Sequence, residues 1–271
     1  MDMKKKRFVW IGHDSLAAAA DIIVPRYCCV CGRRLLSKEK HICLYCMGDF
    51  PFTYNWRAPR NSMADRFNAL ICEDAPETAS GRKEPYAYAA ALFLYRDDAP
   101  YREIQHRLKY KGDIGTGRYF ARMLGERLAS SLHFRDADTV IPVPLHPLRK
   151  WTRGYNQAEV IAREIAQCIG ADLCTDLLRR KRHTRTQTKL STEEKMQNVR
   201  NAFSVRRKHR KKLLSCRHII LVDDVFTTGA TMYACFSTIR EAIRKIDPGS
   251  QTESPLVMPR ISVVSLGLVD R

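Results

Sequence analysis

Four cysteines stand in two pairs, Cys28-x-x-Cys31 and Cys43-x-x-Cys46. Each pair can present two thiolates to one ion, and four thiolates complete the tetrahedral shell of a structural zinc. Four protein ligands leave no open position, so a zinc held there braces the chain and does no catalysis. The competing reading is two local disulfides or free thiols, which a reducing compartment disfavours. Cys29 is off the knuckle spacing, and His41 could stand in for one ligand or be a bystander. The remaining cysteines, Cys72, Cys168, Cys174, Cys216 and Cys235, are scattered and read as ordinary core or surface thiols.

A second constellation runs from Ile219 to Thr231: a hydrophobic strand, the acids Asp223 and Asp224, then Val225, Phe226, Thr227, Thr228, Gly229, Ala230 and Thr231. A turn of small hydroxylated residues that opens a helix offers free backbone N–H groups and the positive end of the helix dipole to a phosphate. Thr227, Thr228 and Thr231 add hydroxyl donors, and Gly229 lets the backbone approach closely. Adjacent acids at the carboxyl end of a strand, where open α/β sheets bind ligands, can accept hydrogen bonds from two vicinal sugar hydroxyls. The plain alternative is a solvated acidic turn. A third stretch, Ile141-Pro142-Val143-Pro144-Leu145-His146, leads to Arg149 and then Arg153-Gly154-Tyr155-Asn156-Gln157. It reads as a strand-to-helix loop with cationic side chains suited to pyrophosphate, or as an ordinary basic loop.

The elements that must position these groups are set by periodicity. Short apolar strands are expected at 87–96, 139–143, 218–222 and 261–266. Helices are expected at 117–132, with Phe120, Met123, Leu124, Leu128 and Leu132 on one face, at 156–169 and at 231–246. Alternation of strands and helices implies a parallel sheet covered on both faces. In front lie a short apolar helix within 1–24 and the cysteine module at 25–56. The stretch 57–85, with Pro59, Pro76, Gly81 and Pro85 and no clear period, reads as a linker or insertion ahead of a large domain at 86–271.

The run Ile219 to Thr231 resembles the phosphoribosyl pyrophosphate (PRPP) motif of type I phosphoribosyltransferases, with Phe226 bulkier than is usual there. The cysteine pairs, the proline-rich strand and the Arg153-to-Gln157 signature are similar to those of the competence protein F (ComF) family. The resemblance implies a type I phosphoribosyltransferase-like α/β fold behind a zinc module. Asp223 and Asp224 would hold the ribose hydroxyls, Thr227, Thr228, Gly229, Ala230 and Thr231 would cradle the 5′-phosphate, and Arg149 and Arg153 would face pyrophosphate. Arg182 to Phe203 resembles the family's mobile hood loop, with Gln187, Arg200 and Asn201 matching it, though a plain surface hairpin fits the composition as well. Leu108 to Asp113 also resembles the family; its lysines could reach phosphate or end a solvated helix. Implied cofactors are structural zinc, and Mg²⁺ bound with PRPP.

Composition bounds the setting. The net charge is +18, and between Arg149 and Arg217 there are 19 Lys or Arg against 6 Asp or Glu, so that segment should face phosphate groups. No apolar run reaches the roughly 18 residues of a membrane span. Met1 to Arg7 is basic like the start of a signal peptide, but Gly12, His13, Asp14 and Asp21 interrupt the apolar run that a signal peptide needs next, so the cytoplasm is expected. Three functions stay open: a phosphoribosyl-transferring enzyme of PRPP, a non-catalytic single-stranded DNA-binding competence factor beside a helicase-like partner, and an amidophosphoribosyltransferase-like metabolic enzyme. No general base identifies the acceptor.

Overall fold

The computed structural model describes residues 24–74, 84–180, 202–246 and 258–269. In chain order the elements are α1 (Leu44–Gly48), α2 (Ser62–Asp74), β1 (Ala89–Tyr95), α3 (Arg102–Tyr110), α4 (Ile114–Ala129), β2 (Thr139–Pro142), α5 (Pro147–Arg153), α6 (Gln157–Ile169) and β3 (Asp172–Leu173). They continue as β4 (Leu178–Arg180), β5 (Phe203–Val205), α7 (Arg210–Ser215), β6 (His218–Phe226), α8 (Ala230–Ile246) and β7 (Arg260–Val269). Five strands form one sheet in the order β1-β7-β6-β2-β3, every pair parallel, and β4 and β5 form a separate antiparallel ribbon.

The sheet is covered on both faces, as its strand sequences require: they are apolar at nearly every position, and successive side chains go to opposite sides. Ala89, Ala91, Ile219, Leu221, Ile261 and Val263 enter one core with Met63 and Phe67 of α2, Leu213 of α7 and Phe236 and Ile239 of α8. Ala90, Leu92, Ile220, Val222, Val264 and Leu266 enter the other with Phe120, Leu124 and Leu128 of α4 and Ile161 and Ile165 of α6. Helices α4 and α6 approach closely at Gly125, where an added Cβ would lie 3.2 Å from the Ile165 Cα. This is the α/β class expected from the alternating pattern.

Three expectations are corrected. The stretch 57–85 contains α2, a 13-residue helix. Its cap is Asn61, whose Oδ1 accepts the Ala64 N–H at 2.9 Å, and it buries Met63, Ala64, Phe67 and Ile71. Asn68 then exchanges hydrogen bonds with the Ala87 backbone at 2.8 and 3.0 Å, fixing the entry to β1. Strand β6 does not stop before the acids but pairs with β7 through Phe226, with Asp223 opposite Ser265 and Phe226 opposite Leu268. Helix α4 ends at Ala129, leaving Leu132 outside it and 70% exposed. The expected N-terminal helix lies outside the described residues up to Val24, as does the hood segment 182–203 up to its last two residues, where Phe203 opens β5.

The cysteine module is not a separate bead. Phe50 stacks on Phe120 of α4 at 5.5 Å and meets Phe93 of β1 edge-on at 5.4 Å. Its backbone extends the sheet edge, with Leu94 N–H donating to Pro51 O at 2.9 Å and Thr53 N–H to Leu92 O at 3.2 Å.

Candidate functional site

The carboxyl ends of β2 and β6 open into a cleft of about 760 Å³. Its acids are Asp223 and Asp224 on β6; around them stand Lys109 at the end of α3, Arg149 and Arg153 on α5, Arg180 at the end of β4, and Thr231 in the first turn of α8. Each is held by local chemistry. Asn156 caps α6 through the Ala158 N–H at 3.2 Å and donates to Val143 O at 3.0 Å, which anchors the α5–α6 connection to the end of β2. Arg153 bonds Gln157 Oε1 at 3.3 Å and lies over the Tyr110 ring at 5.4 Å. Tyr155 donates its hydroxyl to Leu108 O, and Gln105 Nε2 donates to Asp224 O at 2.9 Å, so α3 is tied to both sides of the cleft.

The two acids differ in their surroundings. Asp224 accepts from Lys109 Nζ at 3.0 Å. Burial and then the negative charge of Asp224 push the Asp223 carboxyl up to about 7, against the opposing pull of its hydrogen bond from the Asp224 N–H (2.9 Å), Lys109 and Arg180. Burial and the nearby Arg149 charge push Arg180 down, yet a guanidinium remains a cation at neutral pH. The cleft is thus an acidic floor that can accept hydrogen bonds from hydroxyls, inside a wall of four cations that suits an anionic group.

The structure brings together Asp223, Asp224, Thr231, Arg149 and Arg153 among the residues singled out by sequence. Thr227, Thr228 and Gly229 make the turn between β6 and α8 and Ala230 opens α8; none of the four is among the residues lining the cleft. Gln187, Arg200 and Asn201 lie outside the described residues. Sequence reasoning misses Arg180, and it reaches Tyr110 only as one position within Leu108 to Asp113. Arg180 sits inside a run of four basic residues, and only its place on β4, two residues after buried Leu178, distinguishes it from Arg179. Of the aromatics near the basic segment, Phe203 is buried and Tyr155 half-buried, whereas Trp151 is 85% exposed. Trp151 faces a second groove, next to the cleft, with Lys150, Arg179 and Arg206.

Phe226 is accommodated away from the cleft. Its ring is buried against Phe67 of α2 at 6.5 Å, edge-on, beneath Gly229. Gly229 has φ +83°, and an added Cβ there would stand 2.8 Å from Phe226 Cζ and 3.1 Å from Leu70 Cδ1. Helix α2 therefore supports the turn from below.

The sulfurs of Cys28, Cys31, Cys43 and Cys46 all lie within 4.8 Å of one another, with Cys31 and Cys43 3.7 Å apart. Four sulfurs at about 2.3 Å from one zinc are separated by about 3.8 Å, so the group fits a tetrahedral ion. Val30 and Cys43 N–H groups donate to Cys28 Sγ at 3.4 Å, and the Cys46 N–H to Cys43 Sγ at 3.5 Å. Burial pushes the Cys28 thiol up, but backbone donors outweigh it and hold it at about 7, which favours a thiolate. Glu39 shapes the loop between the pairs by accepting from Leu36 and Leu44 N–H at 2.7 and 2.6 Å. Cys29 is outside the group, its thiol pushed up to about 12 by burial, and His41 instead pairs with Thr116 Oγ1 at 3.1 Å.

The class is that of a parallel five-stranded α/β sheet with an acid pair at a cation-walled cleft, joined to a four-cysteine group that could hold a metal. No family model matches the chain. It is 34% identical over 143 residues to competence protein F of Haemophilus influenzae, covering 52% of this chain and 60% of that protein. It is 27% identical over 225 residues to the DNA utilization protein YhgH of Shigella flexneri, covering 78% and 89%. Competence protein ComFC of Streptococcus pneumoniae matches at 27% over 152 residues, covering 56% and 61%. The chain is thus similar to competence and DNA utilization proteins, and spans 60% of the length of competence protein F. The solved structure of TT1426 from Thermus thermophilus is 16% identical over 54% of this chain and 83% of that one, with a TM-score of 0.26, too slight a likeness to carry an argument. No described helix is long and apolar enough to cross a membrane.

Proposed function

We propose that the cleft binds PRPP or a closely related phosphorylated sugar with Mg²⁺, and that the protein serves DNA uptake. The observation that carries the reading is the pairing of Asp223 and Asp224 with four surrounding cations in one cleft. The acids would accept the ribose 2′ and 3′ hydroxyls, and the turn from Thr227 to Thr231 would receive the 5′-phosphate on its backbone N–H groups. Arg149, Arg153, Lys109 and Arg180 would neutralise the pyrophosphate, and Mg²⁺ bound with it would supply further positive charge. If the sugar is transferred, those cations stabilise the departing pyrophosphate while the acids orient a ribose gaining positive charge at its anomeric carbon. The role in DNA uptake rests on the names of the relatives, competence protein F and DNA utilization protein.

A second reading, direct binding of single-stranded DNA, is supported by Trp151, an exposed indole in a groove with Lys150, Arg179 and Arg206. Stacking on an aromatic beside backbone-neutralising cations is how strands are held without sequence preference. Melting curves with PRPP plus Mg²⁺, and separately with single-stranded DNA across a salt series, test both. A ligand that binds only the folded state raises Tm, and a DNA-induced rise should fade with salt. No rise with PRPP at high excess contradicts the first reading.

A further inference from the structure

Beyond the cleft and the four-cysteine module, one more cluster of metal-binding side chains converges among the described residues. Cys174 follows β3, Asp176 lies two residues on, and His209 ends the short 3-10 helix before α7. Their ligand atoms all lie within 4.8 Å of one another. Cys174 Sγ is 3.9 Å from His209 Nδ1, and His209 Nε2 is 2.7 Å from Asp176 Oδ1.

We propose that Cys174, Asp176 and His209 form a second metal site, selective for a borderline divalent ion such as Zn²⁺. Three features support it. The buried His209 Nε2 lies 2.7 Å from Asp176 Oδ1, a contact in which an ion could take the place of a proton. The backbone around them is fixed: Cys174 N–H donates to Val140 O at 2.9 Å, Arg206 N–H to Leu177 O at 2.9 Å and His209 N–H to Arg206 O at 3.0 Å. The donor set of one sulfur, one imidazole and one carboxylate favours zinc-like ions over Mg²⁺ or Ca²⁺, which take all-oxygen shells.

A nucleophilic role for the cysteine is the competing chemistry, and burial opposes it. Cys174 is 5% exposed, so it is not accessible to a substrate. Metal binding displaces the thiol proton to solvent and leaves two anionic ligands, from Cys174 and Asp176, to balance the 2+ ion. Lys208 Nζ contacts Asp176 Oδ2 at 2.5 Å, so Oδ1 remains for the ion. An ion here would cross-link the segment after β3 to the one before α7. Those segments flank the β4–β5 ribbon that carries Arg180 to the cleft.

The test is Co²⁺ and Zn²⁺ stoichiometry of the full, reduced chain, compared between wild type and the single variants Cys174→Ala and His209→Gln. The His209 side chain is partly exposed, so His209→Gln should fold even if Cys174→Ala does not. The expected result is that each variant binds one equivalent fewer than wild type, or binds that equivalent at least about tenfold more weakly, since even outer-shell losses cost this much. Wild type should also gain a sulfur-to-cobalt charge-transfer band that His209→Gln weakens. Equal stoichiometry and affinity in wild type and folded His209→Gln would overturn the proposal.

Discussion

Asp223 has the most distinctive environment of any residue in the cleft. Its carboxyl, held at about 7 by burial and by Asp224, is largely protonated in the folded protein at pH 5 to 6, where the unfolded chain has already lost that proton. Between about pH 4 and pH 7 the folded state therefore binds more protons, and stability falls as pH rises through that window. Asp223→Asn keeps an acceptor for the Asp224 N–H and removes the charge. We expect it to raise ligand-free stability at pH 8 by at least about 1 kcal/mol, a few degrees of Tm, and to leave stability near pH 4 almost unchanged. Melting curves of both proteins from pH 4 to pH 8 check this; parallel curves would mean that Asp223 titrates normally. Lys109 offsets part of the repulsion through Asp224, 3.0 Å away.

The connection from β6 to α8 is where local sequence and long-range packing meet. Gly229 adopts a backbone conformation that disfavours side chains, and the Phe226 ring fills the space a Cβ would need. Gly229→Ala should destabilise the protein by about 1–3 kcal/mol, read from the urea midpoint, because strain and overpacking act together. An unchanged midpoint would contradict the packing described for α2, Phe226 and the turn.

Most of this architecture is legible in the sequence, and the failures have physical causes. Helices α4, α6 and α8 are readable because their apolar residues recur at three and four. Helix α2 escapes notice although Met63, Phe67 and Ile71 carry a four-residue repeat behind Asn61, because Pro59, Pro76 and Gly81 around it dominate the reading. Strand β6 is cut short because adjacent aspartates are poor strand formers, whereas pairing with β7 carries the backbone on to Phe226. In the cleft, Asp223, Asp224, Arg149 and Arg153 stand out from their motifs. Arg180 and Tyr110 reach it through tertiary placement that no local spacing announces.

At the scale of the whole molecule, the cysteine module and the sheet share one core. Phe50 lies between Phe120 and Phe93, and Tyr101 donates to Cys46 O at 2.9 Å. Changing Cys31→Ser with Cys43→Ser should remove one metal per chain and lower the Tm of a single transition. At roughly 2–4 °C per kcal/mol, losing a few kcal/mol predicts a drop of at least about 5 °C. Two separate transitions in calorimetry would mean that the module melts by itself.

The cleft's proposed ligand makes the central claim, and isothermal titration with PRPP and Mg²⁺ tests it most directly. The comparison is wild type against the double variant Asp223→Asn, Asp224→Asn, with circular dichroism confirming the fold. Charge-assisted hydrogen bonds are roughly twice as strong as neutral ones, so replacing both carboxylates should cost at least about 1.4 kcal/mol. The account predicts measurable binding by wild type and at least about tenfold weaker binding by the variant. Equal affinities in the two folded proteins, or no binding by wild type, would contradict it.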